Sequence, residues 1–174
     1  MRLKSKLANR ILNSRLKAVS RNKKVFNLDS AETAGILWEI EQEASFRQLE
    51  NELRSSGIQT TGLCYFPQKQ AVIPEGINGF TRKQASWWLE IPKARLTEDF
   101  IRQKFDVLID LTGQKSFPIE FITALSNAAF KIGYAGNSTN YFDLNIEFGD
   151  QPQTEQLARQ IVYYLKRINK TTLE

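Results

Sequence analysis

The run Phe105-Asp-Val-Leu-Ile-Asp-Leu111 constrains the fold of this 174-residue chain more than any other segment. Val107 to Ile109 are three consecutive apolar residues, so the strand they form has no polar face. A strand of that kind is buried on both sides, as in a parallel sheet sandwiched between helices. Its neighbours fit that setting. Thr33–Glu39, with the core Ile36-Leu37-Trp38, and Ile58–Phe66, rich in β-formers, read as strands. Between them Phe46, Leu49 and Leu53 repeat at helical spacing over residues 41–56, and Gly57 stands where a helix ends.

The pattern continues downstream. Lys69–Ile73 and Asn78–Thr81 are candidate short strands among Pro67, Pro74, Gly76 and Gly79. Thr97 is expected to cap a helix over 97–104, with Glu98 and Asp99 in its first turn. Ser116 is placed to cap the next helix, with Pro118 in its first turn. Ala128–Tyr134 is a further strand. The alternation of Phe142, Leu144, Ile146 and Phe148 predicts a strand with one solvated face at a sheet edge. Leu157, Ile161, Tyr164, Leu165 and Ile168 mark a final helix over Gln153–Asn169. Strand–helix–strand repetition predicts a three-layer α/β sandwich with a mostly parallel sheet and right-handed crossovers.

Charge is unevenly spread. Of the 24 bases, nine fall in the first 26 residues with no acid among them: Arg2, Lys4, Lys6, Arg10, Arg15, Lys17, Arg21, Lys23 and Lys24. The remaining 15 bases face all 19 acids, a net of −4. Leu3, Leu7, Ile11, Leu12, Leu16 and Val19 give residues 2–20 an apolar stripe, so the segment reads as a basic amphipathic helix. The expected division is a helical extension and linker over residues 1–30 and an α/β domain over 31–174. The segment lacks the apolar core of a secretory signal and the serine density of a transit peptide. No uncharged apolar run approaches the ~18–20 residues of a membrane span.

The sequence excludes a good deal of chemistry. It has no histidine, which removes Ser-His and Cys-His nucleophile pairs and histidine metal sites. Its lone cysteine, Cys64, has no intramolecular disulfide partner and reads as a small buried hydrophobe. No Gly-rich phosphate loop follows the first strand, so no nucleotide cofactor is expected. Glu39, Glu41 and Glu43 read as acids opening a helix rather than as a metal cluster. Trp87-Trp88, beside Arg82 and Lys83, read as packing residues, with base or sugar stacking as the alternative.

In an open parallel sheet, ligands bind beyond the carboxyl ends of the strands. Four loops lie there: Trp38–Glu41, Tyr65–Pro67, Asp110–Ser116 and Gly133–Ser138. The third is the richest in polar groups. Asp110, Thr112, Gly113, Gln114 and Ser116, with Tyr134 and Asn137 from the fourth, are the candidate ligand-binding residues. The alternative is that Asp110 caps the turn and Ser116 the helix.

Two resemblances extend this reading. Residues 105–133, with Tyr164-Leu-Lys-Arg-Ile-Asn169 and the basic start, resemble an uncharacterised family of small Bacteroidetes proteins known as a domain of unknown function. That resemblance implies no activity. Residues 105–133 alone are similar to the N-terminal half-domain of heptosyltransferase-like glycosyltransferases, which also show a strand ending in Ile-Asp-Leu, a helix, and a strand ending in Ile-Gly. This implies a Rossmann-like fold but no catalytic residues. The family's Gly-Asp turn is replaced by Trp38-Glu39, and no second, sugar-nucleotide domain is expected beside this one.

The expectation from sequence is a non-catalytic, cytoplasmic binding protein without cofactor or metal. Its arm contacts RNA or a ribonucleoprotein such as the ribosome through Arg2, Lys6, Arg10, Arg15, Lys17, Arg21, Lys23 and Lys24. The alternatives are an anionic membrane surface for the same arm, and a degenerate transferase-like domain holding a small ligand at the strand ends.

Overall fold

A computed structural model of the chain describes residues 2–68, 70–86, 88–113, 116–134, 140–148 and 153–168. The chain begins with α1 (Arg2–Leu16) and crosses irregular backbone to β1 (Thr33–Glu39). Then follow α2 (Glu43–Ser55), β2 (Gln59–Phe66), β3 (Gly79–Thr81), α3 (Ala94–Arg102), β4 (Val107–Asp110), α4 (Phe117–Leu125), β5 (Phe130–Gly133), β6 (Leu144–Asn145) and α5 (Thr154–Arg167). The six strands form one sheet in the order β3-β2-β1-β4-β5-β6, and every pairing is parallel. This is the Rossmann-like strand order.

Side-chain alternation along the strands divides the core in two. Ala34, Ile36 and Trp38 of β1 face the same way as Cys64, Phe66, Ile109 and Ile132, and they meet Phe46, Leu49 and Leu53 of α2 and Leu157, Ile161 and Leu165 of α5. Leu37, Leu63, Tyr65 and Leu108 face the other way, onto Leu12 of α1, Phe100 and Ile101 of α3, and Ile119 and Ile122 of α4. The sheet therefore lies between an α1–α3–α4 layer and an α2–α5 layer. The expected double burial of β4 is realised along its whole length. At the end of α2, Gly57 takes a left-handed conformation (φ +84°) that suits a residue without a Cβ.

Four elements differ from the sequence expectation. α1 stops at Leu16 rather than 20, although Leu16 and Val19 still pack on the core from the turn beyond it. Residues 70–73 form no strand. Ala71 and Ile73 pack on the core from a loop, and the prolines on either side, Pro67 and Pro74, cannot donate to a ladder. Lys69 lies outside the described residues. α3 begins at Ala94, so Thr97 is buried inside the helix instead of capping it. The edge strand predicted over 142–148 shrinks to Leu144–Asn145, because the Asp143 carboxylate takes the Lys131 backbone N–H at 2.9 Å.

The basic segment is built into the domain. Leu12 and Ala8 of α1 are buried, and Leu12 packs in the same cluster as α4. Arg21 then clamps the chain down. Its guanidinium forms two 2.6 Å bonds to the Asp143 carboxylate and donates to the Ala128 and Ala129 carbonyls. The Lys24 backbone N–H donates to the Ala129 carbonyl and that of Leu28 to the Leu165 carbonyl, so the strap reaches the far helix α5.

Candidate ligand site at the sheet switch point

The chain leaves β1 toward β2 and β3 on one side and later returns to β4 on the other. Loops at the carboxyl ends of β1 and β4 diverge there, which opens a crevice in sheets of this order. In this molecule the crevice encloses about 630 Å³. Glu39 lines it from the end of β1 with Glu41 and Gln42 from the turn that follows, and Tyr65 and Pro67 from the end of β2 and just beyond it. Arg82 and Glu90 follow β3, Ser116 to Pro118 open α4, and Thr154 opens α5.

Gln42 holds the crevice floor together. Its Oε1 accepts the Glu39 backbone N–H at 2.9 Å. Its Nε2 donates to the carbonyls of Leu111 (3.0 Å) and Thr112 (3.3 Å) and to Thr154 Oγ1 (3.0 Å). One amide thus joins the ends of β1 and β4 to the start of α5. Where a nucleotide-binding sheet carries glycines after β1, this one carries a short 3-10 turn, Ile40–Gln42, flanked by Glu39 and Glu43.

The electrostatics are those of a carboxylate-rich, partly dry cleft. Burial pushes the Glu39 carboxyl up to about 7, assisted by the charges of Glu41 and Asp110. Glu39 therefore both donates and accepts hydrogen bonds near neutral pH. Burial also lifts the Tyr65 phenol to about 12; Glu90 and Glu39 add to the rise and Arg82 opposes it. Arg82 pairs with Glu90 at 2.7 Å across one wall. Cys64, on the opposite side of β2, is raised to about 12 by burial and by Glu39, Glu41 and Glu43. It is a protonated thiol inside the core, as the sequence implied.

The residues nominated from sequence are dispersed by the fold. Asp110 turns inward. Its Oδ1 accepts the Thr112 backbone N–H at 2.8 Å and the Thr112 hydroxyl at 2.7 Å, and its Oδ2 accepts the Thr123 hydroxyl at 3.4 Å. Burial nevertheless raises its pKa. Asp110 and Thr112 thus close the turn, which Gly113 completes. Ser116 stands at the N-cap position of α4, makes no side-chain capping bond and lines the crevice. Tyr134 packs on the α2–α5 core beside Phe148, away from the crevice. Gln114 and Asn137 lie outside the described residues, as does Trp87.

Glu39, Glu41 and Tyr65 belong to loops the sequence nominated, but Arg82, Glu90 and Thr154 were missed. They come from the turn after an edge strand and the start of the last helix, and no local pattern points to them. Among the described residues, no three carboxylate or thiol groups come together as a metal ligand set.

The arm bases also separate into groups. Arg15 lies over the Phe121 ring (5.4 Å), and Lys24 over Phe26 (4.8 Å). Arg21 and Lys23 gather at Asp143. Lys6, Arg10 and Lys17 share the solvent face of α1 and the turn after it with Asn9, Asn13 and Ser14. The Arg2 side chain lies outside the described residues.

A model for a family of unknown function, DUF6913, matches residues 4–168. The chain belongs to that family. The match runs from the first turn of α1 to just past α5, so the DUF6913 unit takes in the basic helix together with the sheet. No curated protein and no solved structure matches the chain. Among the described residues of this DUF6913 member, no helix is long and apolar enough to cross a membrane.

Proposed function

We propose that this chain is a binding protein that holds a small, non-phosphorylated ligand rich in amino or hydroxyl donors in the switch-point crevice. One observation carries this reading: Glu39 and Glu41 line the crevice at the carboxyl end of β1, where phosphate-binding relatives of the fold have glycines, and Glu90 joins them from the loop after β3. A phosphate entering there meets Glu39 and Glu41, with Arg82 already paired to Glu90, whereas an ammonium or hydroxyl group meets acceptors. A Glu39 carboxyl raised by burial to about 7 suits a hydroxyl, since the acid can donate and the carboxylate accept. The likeness of residues 105–133 to a glycosyltransferase half-domain adds no transfer chemistry to this proposal.

Thermal melting with glucosamine, glucose and AMP tests it. Glucosamine is expected to raise the melting temperature most and AMP not at all, and Glu39→Gln is expected to remove the glucosamine effect. Protection by AMP equal to that by the sugars, or no protection by any probe, sinks the idea.

A second reading is favoured by the solvent face of α1. Lys6, Arg10 and Lys17 present charge there beside Asn9 and Asn13, and no acid occurs before residue 27. That arrangement suits the phosphates of RNA or a ribonucleoprotein in the cytoplasm. Replacing the three bases by glutamine should lower the slope of log affinity against log salt for single-stranded RNA by about 2. An unchanged slope excludes this face. Preference for anionic vesicles over RNA moves the partner to a membrane surface, for which the exposed Leu3 and Leu7 are available.

A further inference from the structure

On the α2–α5 side of the sheet, one buried donor has nothing to bind. Among the described residues, the indole Nε1–H of Trp38 is the one buried side-chain nitrogen or oxygen without a hydrogen-bond partner. The residue is only 2% exposed. Native interiors meet such donors with protein, ordered water or a ligand.

Trp38 lines a cavity of about 280 Å³ together with Phe46, Arg47, Arg54, Thr61 and Asn78. The cavity exists because β3 is short. β3 pairs with β2 only from Cys64 onward, so residues 59–62 have no strand on their outer edge. A loop covers them instead, held by Asn78 Nδ2 donating to the Gly62 carbonyl at 3.2 Å. A Cβ on Gly62 would lie 3.2 Å from Trp38 Nε1 and 2.7 Å from the Phe46 ring, so the indole nitrogen sits against that glycine with the Phe46 ring covering it. The Trp38 and Phe46 rings stack 4.3 Å apart and nearly parallel, giving the cavity a flat apolar floor.

Arg47 and Arg54 stand at the cavity wall. Its carboxylate, Glu50, already accepts from Arg54 Nη2 (2.9 Å), Arg47 Nη1 (3.3 Å) and Thr60 Oγ1 (3.2 Å). The two guanidinium groups thus meet two carboxylates, Glu43 beside Arg47 at 3.5 Å and the saturated Glu50. An incoming acceptor therefore finds the exposed Arg54 guanidinium at the rim and, below it, an unused N–H.

We propose that this cavity binds a small planar carboxylate whose oxygen accepts the Trp38 Nε1–H bond and whose charge pairs with Arg54. The volume limits the ligand to the size of a single substituted ring. Nε1 is closed to solvent, so the ligand reaches it as the Phe46 ring turns off Gly62. This site is separate from the switch-point crevice, lies on the other face of the sheet and does not depend on it.

The test is a titration of the 15N-labelled chain with sodium benzoate, reading the tryptophan indole resonances by NMR. Trp38→Phe, which keeps a ring against Phe46, assigns the Trp38 signal. The expected result is a saturable downfield shift of that proton at millimolar benzoate, with the other two indoles unmoved. Arg54→Gln should weaken the apparent affinity about tenfold, and Trp38→Phe should weaken binding as followed at the Gly62 amide. A Trp38 proton that exchanges magnetisation with a trapped water and ignores benzoate overturns the proposal. So does an equal shift in Arg54→Gln, or an equal shift with inorganic phosphate.

Discussion

On the α2–α5 face, the strands contribute Ile36, Trp38, Cys64, Ile109 and Ile132, and no strand carboxylate or amine enters. On the α1–α3–α4 face, Leu37, Leu63 and Leu108 share their layer with Asp110 and Lys131, both buried, and with the half-buried Glu39. The alternation of one strand thus sends Trp38 to one side and Glu39 to the other. The helices differ too. α3 and α4 have nine residues each, against 13 and 14 for α2 and α5. A short helix ends beside the middle of the sheet, and its free carbonyls need donors there. Lys131 supplies them, donating to the carbonyls of Thr123 (2.6 Å) and Ala124 (3.1 Å) near the end of α4. Buried charge carried by the strands thus follows the length of the helix above them as well as the strand pattern.

The charged side is where substitutions should separate the two faces. Arg21→Ala should have the largest effect, a loss of about 3 kcal/mol in denaturant unfolding at pH 7, because it strands a largely buried Asp143. Burial alone would raise the Asp143 carboxyl. Its hydrogen bonds from Arg21 and the Lys131 backbone, with the charges of Arg21 and Lys23, hold it below the usual carboxylate range. The clamp therefore contributes fully above the ordinary aspartate range and is lost as pH falls through the lowered value. The cost of Arg21→Ala should shrink in strong acid. A cost that is the same at acid and neutral pH would break the electrostatic half of the comparison.

Lys131→Met comes next. Burial, with the charges of Arg21 and Lys23, lowers the Lys131 amine to about 7, against the pull of Asp143. The unfolded chain then binds more protons than the folded one between about 7 and 10.5, so stability rises with pH across that window. The parent should gain about 2 kcal/mol there, reduced from the full shift because the α4 carbonyls favour the charged form. The methionine variant should lack that slope and be less stable at pH 10, where the two carbonyls lose their donor. Equal slopes in parent and variant would remove Lys131 from the argument.

Glu39→Gln should have the smallest effect. The folded carboxyl holds its proton up to about 7 and the unfolded one only to about 4.5. Folding is favoured by this group below 4.5, and the advantage is lost as pH rises toward 7 and above. Discounted for partial exposure, the swing is about 1 kcal/mol. Melting curves of the variant should be flatter than the parent's between pH 5 and 8. An unchanged profile would mean that the crevice is wet enough to leave Glu39 unperturbed.

Much of this architecture was legible in the residues. Val107–Ile109 announced double burial, and Phe46, Leu49 and Leu53 announced α2 with its stop at Gly57. Leu157, Ile161 and Leu165 announced α5. These signals are local, because a side chain's face follows from its position in a repeat of 2 or 3.6 residues. Thr97 misled because a threonine followed by two acids is a helix start in isolation. Packing of Phe100 and Ile101 against α4 favours one more turn, and Thr97 lies in it. Asp110 was correctly placed at a strand end, but the sequence left open whether it would bind outward or cap inward, and Thr112 and Thr123 turned it inward.

By itself, then, the sequence determined the class of fold, the layering of its apolar residues, the inertness of Cys64 and the lack of a phosphate loop. All of these depend on residue type and short-range order. Only the tertiary structure decided that Glu39, Tyr65, Arg82, Glu90, Ser116 and Thr154 share a crevice. It also tied Arg21 to Asp143, 122 positions away, and left the Trp38 indole facing a cavity beside a short β3. Each of those depends on which strands become neighbours and where they stop, and long-range packing of the whole chain sets both.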